Sequence, residues 1–132
     1  MKVVVDTNVL VSALLSRTGP PRIILKLLLS KKAEWLVNDL ILEEYEEVLG
    51  RRDFGFKPSQ IQALMEFIRR YGVHVPYLPQ KVSVPHVDDL PFLLCAQQGE
   101  ADTLITGNKK HFPFRDQPFH IESPAEFINR IS

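Results

Sequence analysis

The sequence is short of cysteine. Cys95 is the one thiol in 132 residues, so no intramolecular disulfide can form and a disulfide-stapled scaffold is excluded. Cys95 sits in an apolar run, where a small buried thiol in a reducing compartment is expected. Excess charge of either sign is missing too. Sixteen Lys and Arg balance sixteen Asp and Glu, which excludes a polybasic protein that grips nucleic acid by bulk charge. Any phosphate binding has to be local, and metal ions are one source of the missing positive charge. Val9 to Leu15 and Ile23 to Leu29, the longest strongly apolar stretches, fall well short of the roughly 20 residues that span a bilayer. The amino terminus has no basic stretch leading to a cleavage site, so neither export nor membrane anchoring is expected and the cytoplasm is the expected location. Repeats, low-complexity tracts and dividing linkers are also absent. With 45% hydrophobic and 24% charged residues, the chain is expected to form one ordinary globular domain over residues 1–132.

Val3 to Val5 form a β-branched run ending at Asp6, the signature of a strand buried on both faces. Asp6, Thr7 and Asn8 are good helix caps, and Val9, Leu10, Ala13 and Leu14 repeat at helical spacing up to Gly19-Pro20. Pro20 and Pro21 suit the entry of a second helix ending in Lys31 and Lys32, and Trp35 to Val37 reads as a strand. Asn38 or Asp39 caps a third helix to about Leu49, and Pro58-Ser59 opens a fourth that runs to Tyr71. A strand at Val73 to Val75 precedes a Pro-rich link to a fifth helix, capped by Asp88, with Pro91 in its first turn and Gly99 at its end. Thr103 to Thr106 and Phe119 to Ile121 are the last strands, with a tight turn at Gly107-Asn108. Ser123-Pro124-Ala125-Glu126 is a capping-box start for a terminal helix. Strands alternating with helices indicate an α/β domain with a mostly parallel sheet.

In such a sheet the ligand crevice lies beyond the carboxyl ends of the strands. Asp6 ends the first strand there, either as a helix cap alone or as part of a site. The third helix offers Glu43, Glu44, Glu46 and Glu47. At ~100° per residue from Ile41, Glu44 falls near ~300°, beside the apolar arc of Tyr45, Val48 and Leu49, while the other three fall between about 140° and 240°. Only Glu44 borders the inward face, and a carboxylate there needs a partner or a cation. On the fifth helix Asp89 shares a face with Phe92, Leu93 and Ala96, and Asp88 is rotated away from it. Asp6, Glu44 and Asp89 can therefore converge in one crevice. Clustered carboxylates require a proton or a hard cation among them. No Cys or His spacing suggests zinc: His74, His86, His111 and His120 are scattered and read as surface or satisfied residues. All-oxygen donors favour Mg²⁺ or Mn²⁺, and such an ion lets a neutral protein cut a polyanion, so phosphodiester hydrolysis is the natural chemistry.

At these residues the chain resembles the PIN-domain nucleases. The likeness runs through Val4-Val5-Asp6-Thr7-Asn8, then Leu42 to Leu49 around Glu44, then Asp88-Asp89 before Phe92 and Leu93, then Ala101 to Asn108, and it is closest to the VapC-type toxins of toxin-antitoxin pairs. The resemblance implies a three-layer α/β/α sandwich, a Mg²⁺ or Mn²⁺ site, and endonucleolytic cleavage of single-stranded RNA. It also implies a homodimer and a small antitoxin partner. By motif position, Asp6, Glu44 and Asp89 become the metal-binding acids, and Asn108 takes a place often filled by a fourth acid. Asn8, Asp88, Thr106 and Asn108 are secondary site candidates.

Two departures from the pattern stand out: Leu90 where related sequences often carry Asp or Asn, and the neutral Asn108. The alternative reading is a member of weak or no activity that binds RNA or a protein partner. A phosphotransferase of the haloacid dehalogenase type would need Asp where Asn8 stands, and the acid and Lys pattern of a receiver domain is missing. Thr106 and Gly107 are either a strand end and turn or a hydroxyl and loop at the site. Arg51 and Arg52, interleaved with Phe54, Phe56 and Lys57, are candidates for holding phosphates and unstacked bases, or else a basic turn packing its Phe rings inward. Lys109 and Lys110 follow the proposed site and are candidates for attracting phosphate.

Overall fold

The computed structural model describes residues 1–113 and 116–132. Among these, five strands, β1 (Lys2–Val5), β2 (Glu34–Val37), β3 (Val73–His74), β4 (Thr103–Ile105) and β5 (His120–Glu122), alternate with six helices. The helices are α1 (Thr7–Leu15), α2 (Pro20–Leu29), α3 (Asp39–Leu49), α4 (Pro58–Tyr71), α5 (Leu90–Gln98) and α6 (Pro124–Ile131). Every strand pairing is parallel, and the spatial order is β3-β2-β1-β4-β5. The sheet expected to be mostly parallel is wholly so.

Successive residues of a strand point to opposite faces. Val3, Val4 and Val5 are all nearly inaccessible, as are Leu36 with Val37 and Leu104 with Ile105. Both faces are therefore covered by helices, giving three layers with the core above and below β1, β2 and β4. Cys95 is buried in α5, and desolvation pushes its thiol up to about 12, so it packs as an inert apolar group.

Several element ends differ from those read in the sequence. α1 stops at Leu15, where Ser16 turns to extended backbone and its hydroxyl donates to the Thr18 carbonyl, well before Gly19-Pro20. α2 stops at Leu29, and Lys31 beyond it has a φ of 60°, outside helical geometry. The last strand is His120–Glu122 because Glu122, not Phe119, pairs in register with Ile105. The capping box at Ser123 and Glu126 forms reciprocally.

α5 begins later than expected. Val87–Asp89 winds as a 3-10 turn, so Asp89 rather than Asp88 is the cap residue. Its φ and ψ of −86° and −13° are already helical, and its carboxylate makes no capping bond. The expected roles of the pair are corrected accordingly: Asp88 is exposed and caps nothing, while Asp89 is buried at the joint with its side chain free of helix amides.

Strand order reverses about β1, whose chain goes on to β2 on one side while β4 is inserted on the other. The crevice of a parallel sheet forms at such a switch point, here beyond Val5 and Ile105.

Candidate functional site

Asp6 and Thr106 are the first residues past these two strand ends. The Asp6 N–H donates to the Ile105 carbonyl at 2.9 Å, continuing the ladder by one residue. The Thr106 hydroxyl, wholly buried, donates to Asp6 Oδ2 at 2.8 Å and accepts the Asn108 N–H at 3.0 Å. Of the two sequence readings of Thr106, its hydroxyl is thus in the crevice. Asn8, exposed on the first turn of α1, accepts the Gly107 N–H at 3.1 Å and ties the loop after β4 to the start of α1.

α3 brings Glu44 to the same place for reasons visible residue by residue. The Asn38 side chain accepts the Ile41 N–H at 2.9 Å and donates to the Pro91 carbonyl at 3.0 Å, pinning the start of α3 to the start of α5. The fully buried Tyr45 donates its hydroxyl to the carbonyl of Val5, the residue before Asp6, and receives the Trp35 indole N–H. With Tyr45 fixed there, Glu44 is half-buried while Glu43, Glu46 and Glu47 are exposed, and the Thr7 hydroxyl donates to Glu44 Oε2.

Asp89 faces His111. His111 Nδ1 lies 2.9 Å from Asp89 Oδ2, off the line a hydrogen bond requires, so that oxygen is buried at contact distance with no aligned donor. The His86 ring lies 3.9 Å from that of His111, centre to centre, and Asn108 Nδ2 lies 3.0 Å from His111 Nε2. Of the four histidines expected to be scattered, two lie together. His74 is a satisfied surface residue, its Nε2 against the Arg69 carbonyl, and His120 is exposed. His86 and His111 meet beside Asp89, His111 at the end of the 3-10 turn Lys109–His111 and His86 just before the turn Val87–Asp89.

The electrostatics tie the three acids together. Burial, then the charges of Asp89 and Glu44, push Asp6 up to about 6 against the bond from Thr106. Glu44 is raised by burial and by Asp88 and Asp89, with the Thr7 bond opposing. Asp89 is raised by burial, although His111 and His86 hold it back. Asp88, exposed, reaches the group through its charge on Glu44 and on Asp89. Among the described residues no three His, Cys, Asp or Glu side chains are arranged to enclose one ion. Each of the three carboxylates is turned to its own neighbour, Asp6 to Thr106, Glu44 to Thr7 and Asp89 to His111. Their chemistry still suits a hard cation: the donors are all oxygen, one of them is buried with no hydrogen bond, and Asp89 raises the proton affinity of both Asp6 and Glu44.

Among the basic candidates Arg51 acts on Glu44 by its charge, lowering the proton affinity of that acid. Arg51 pairs with Glu47 at 2.8 Å, and Arg52 is exposed. Phe54 and Phe56 stack on each other with centres 5.7 Å apart and pack against the core, so of the two sequence readings the structure shows a basic turn with its rings turned inward. Lys109 pairs with Glu126 at 3.0 Å, and Lys110 is exposed beside it. Thr7 and His111 were not read as site residues. Thr7 carried a signal only as a cap, and nothing local in the sequence marks the meeting of His111 with Asp89.

The fold is a parallel α/β domain with Asp6 at its switch point, where the charges of Glu44 and Asp89 reach it. The chain belongs to the PIN domain family, whose model matches residues 2–110. PIN domains are generally nucleases that use divalent metal ions. No curated protein matches the sequence. Among solved structures, a chain of VapBC2 from Rickettsia felis, crystallised bound to a DNA fragment from their promoter, is similar with a TM-score of 0.62. The two are 19% identical, and the match covers 92% of this chain and 98% of that one, a likeness of fold. Among the described residues no helix is long and apolar enough to cross a membrane.

Proposed function

We propose that the chain is a divalent-metal-dependent endoribonuclease that cuts single-stranded RNA and serves as the toxin of a toxin-antitoxin pair. The observation that supports this reading is that burial disfavours the charged forms of Asp6, Glu44 and Asp89, with repulsion from Asp89 adding to the effect on the other two. A hard dication relieves that repulsion. Asp6 and Asp89 would hold Mg²⁺ or Mn²⁺, with Glu44 swung from Thr7 to join them. When bound, such an ion supplies an acidified water and neutralises charge on the phosphodiester. Thr106 keeps Asp6 in place, and the buried walls keep bulk water from screening the carboxylates.

The positive charge that meets the RNA is local, as a neutral chain requires. Arg52 and Lys110 are exposed and form no ion pair among the described residues. Arg51 and Lys109 hold only exposed pairs, worth a few tenths to about 1 kcal/mol, which a polyanion can displace. The partner half of the reading rests on a groove of about 690 Å³ between α2 and α4. Leu25, Leu29 and Phe67 contribute its apolar lining and Arg17, Arg22 and Lys26 its basic rim, which suits an acidic amphipathic segment of a small antitoxin. The same reading takes the chain as a cytoplasmic homodimer.

The test is incubation of EDTA-stripped protein with labelled single-stranded RNA, duplex RNA and DNA, with and without Mn²⁺, beside an Asp89→Asn control. Cleavage of single-stranded RNA alone, requiring Mn²⁺ and lost in the control, is the expected result. A second reading, a module that binds RNA or a protein partner without cutting, is favoured by one observation: the Asn108 amide nitrogen is turned to His111, and this neutral residue adds no carboxylate to the acids. RNA binding that survives in both proteins without cleavage would select it.

A further inference from the structure

A continuous line of polar contacts joins Asp6 to Asp89. It runs from Asp6 Oδ2 to the Thr106 hydroxyl, to the Asn108 backbone, through the Asn108 side chain to His111 Nε2, and from His111 Nδ1 to Asp89 Oδ2. An amide NH₂ only donates, so Asn108 Nδ2 beside His111 Nε2 makes that ring nitrogen the acceptor and leaves the neutral ring's proton on Nδ1, the nitrogen 2.9 Å from Asp89 Oδ2. The backbone that carries the ring is fixed: the His111 N–H donates to the Asn108 carbonyl at 3.0 Å and the next residue, Phe112, is buried, while the His86 ring lies against that of His111.

We propose that His111 is the positioning residue for the Asp89 carboxylate, with Asn108 fixing its tautomer. This rests on the metal-site reading above only for its functional consequence. Asp89 needs such a residue because its place at the joint of a 3-10 turn and α5 leaves its carboxylate without a capping bond, and Oδ2 is buried with His111 as its near neighbour. The inference also gives the neutral residue at 108 a task. A carboxylate there would accept from Nε2 and draw the ring proton away from Asp89. An amide sends it toward Asp89.

Two measurements on the intact protein test this, one of them independent of metal. Imidazole nitrogen shifts in the NMR spectrum at pH 8 should show His111 as the Nδ1–H tautomer, and Asn108→Ala should erode that preference. For function, Mn²⁺ affinity is measured by calorimetry. His111→Gln, which moves the donor away from Asp89, should weaken binding about tenfold, the low end for outer-shell partners of a metal ligand. His111→Asn, which keeps an N–H near the Nδ1 position, should recover most of the loss, and in an Asp89→Asn background His111→Gln should change nothing further. Unfolding by urea for the same set should show non-additive effects of His111→Gln and Asp89→Asn. An Nε2–H tautomer in the wild type, or the same loss with and without Asp89, overturns the proposal. A wild type that binds no Mn²⁺ but shows the Nδ1–H tautomer and the non-additive unfolding supports the positioning role while overturning the metal reading.

Discussion

Asp6 is the residue on which stability and function pull hardest against each other. Its carboxyl is pushed up to about 6, first by burial and then by Asp89 and Glu44, against an unfolded value of roughly 3.9. Below about pH 4 it is protonated in both states and costs nothing. As pH rises from there toward 6 the unfolded chain ionises first, so stability is lost, and above pH 6 the full cost of about 3 kcal/mol is present. Asp6→Asn removes the charge and keeps an oxygen to accept from Thr106. It should therefore stabilise the protein by about 2–3 kcal/mol at pH 7.5, with the gain fading below pH 4, in urea titrations across that range. A destabilised variant at neutral pH would mean that Asp6 is not a strained acid. Asp6 was legible in the sequence because it closes a β-branched run just where a helix starts. His111 was not, because its contact with Asp89 is made by a loop that carries no periodicity.

At the scale of elements, α3 shows what periodicity can decide. An apolar arc fixed by Ile41, Tyr45 and Leu49 leaves one of four glutamates half-buried, since Tyr45 is locked to β1 by its hydroxyl. Glu44→Gln should lower RNA cleavage by about a hundredfold or more, in the range of a lost general acid-base or metal-site group. Glu43→Gln, Glu46→Gln and Glu47→Gln should stay within about twofold, since exposed substitutions move little; initial rates on one labelled RNA read this, and an equal loss at all four would break the register. α5 shows what periodicity misses. Its start moved by one residue because the chain enters through a 3-10 turn, and the cap passed from Asp88 to Asp89.

The junction of β5 with α6 is held by Glu122, buried beneath a two-pronged bond from Arg130 at 2.8 and 2.9 Å and a bond from the Thr103 hydroxyl at 2.9 Å. Burial alone would raise its proton affinity, but Arg130 and Thr103 outweigh that and hold it below its ordinary range. Its contribution is thus complete above an unfolded value of about 4.3 and is lost as pH falls through the depressed folded value. Glu122→Gln should cost about 2 kcal/mol at pH 7, as hydrogen bonds to charged groups do. In denaturant titrations the difference from wild type should shrink toward pH 3. A constant difference at every pH would assign the loss to packing rather than to charge.

Across the whole molecule, the strand order turns a few separate residues into a site. Because β4 is inserted beside β1, residues a hundred positions apart, Asp6 and Thr106, become hydrogen-bonded neighbours. The alternation of strands and helices announced an α/β domain, and the switch-point rule said where its crevice would lie. Periodicity and the crevice rule suggested that the acids could converge, but the order and register of the strands came only from the structure, because long-range pairing leaves no periodic trace in a single sequence. In this neutral chain Asp6 and Asp89 are buried while Arg52 and Lys110 are exposed. The most direct measurement is a crystal structure grown with Mn²⁺ and recorded at a wavelength where manganese scatters anomalously. A single strong peak touching Asp6 and Asp89, with Glu44 released from Thr7 toward it, is expected for wild type and should vanish in Asp6→Asn. No peak at these carboxylates at saturating Mn²⁺, or one that persists in the variant, would show that the three acids do not form a metal site.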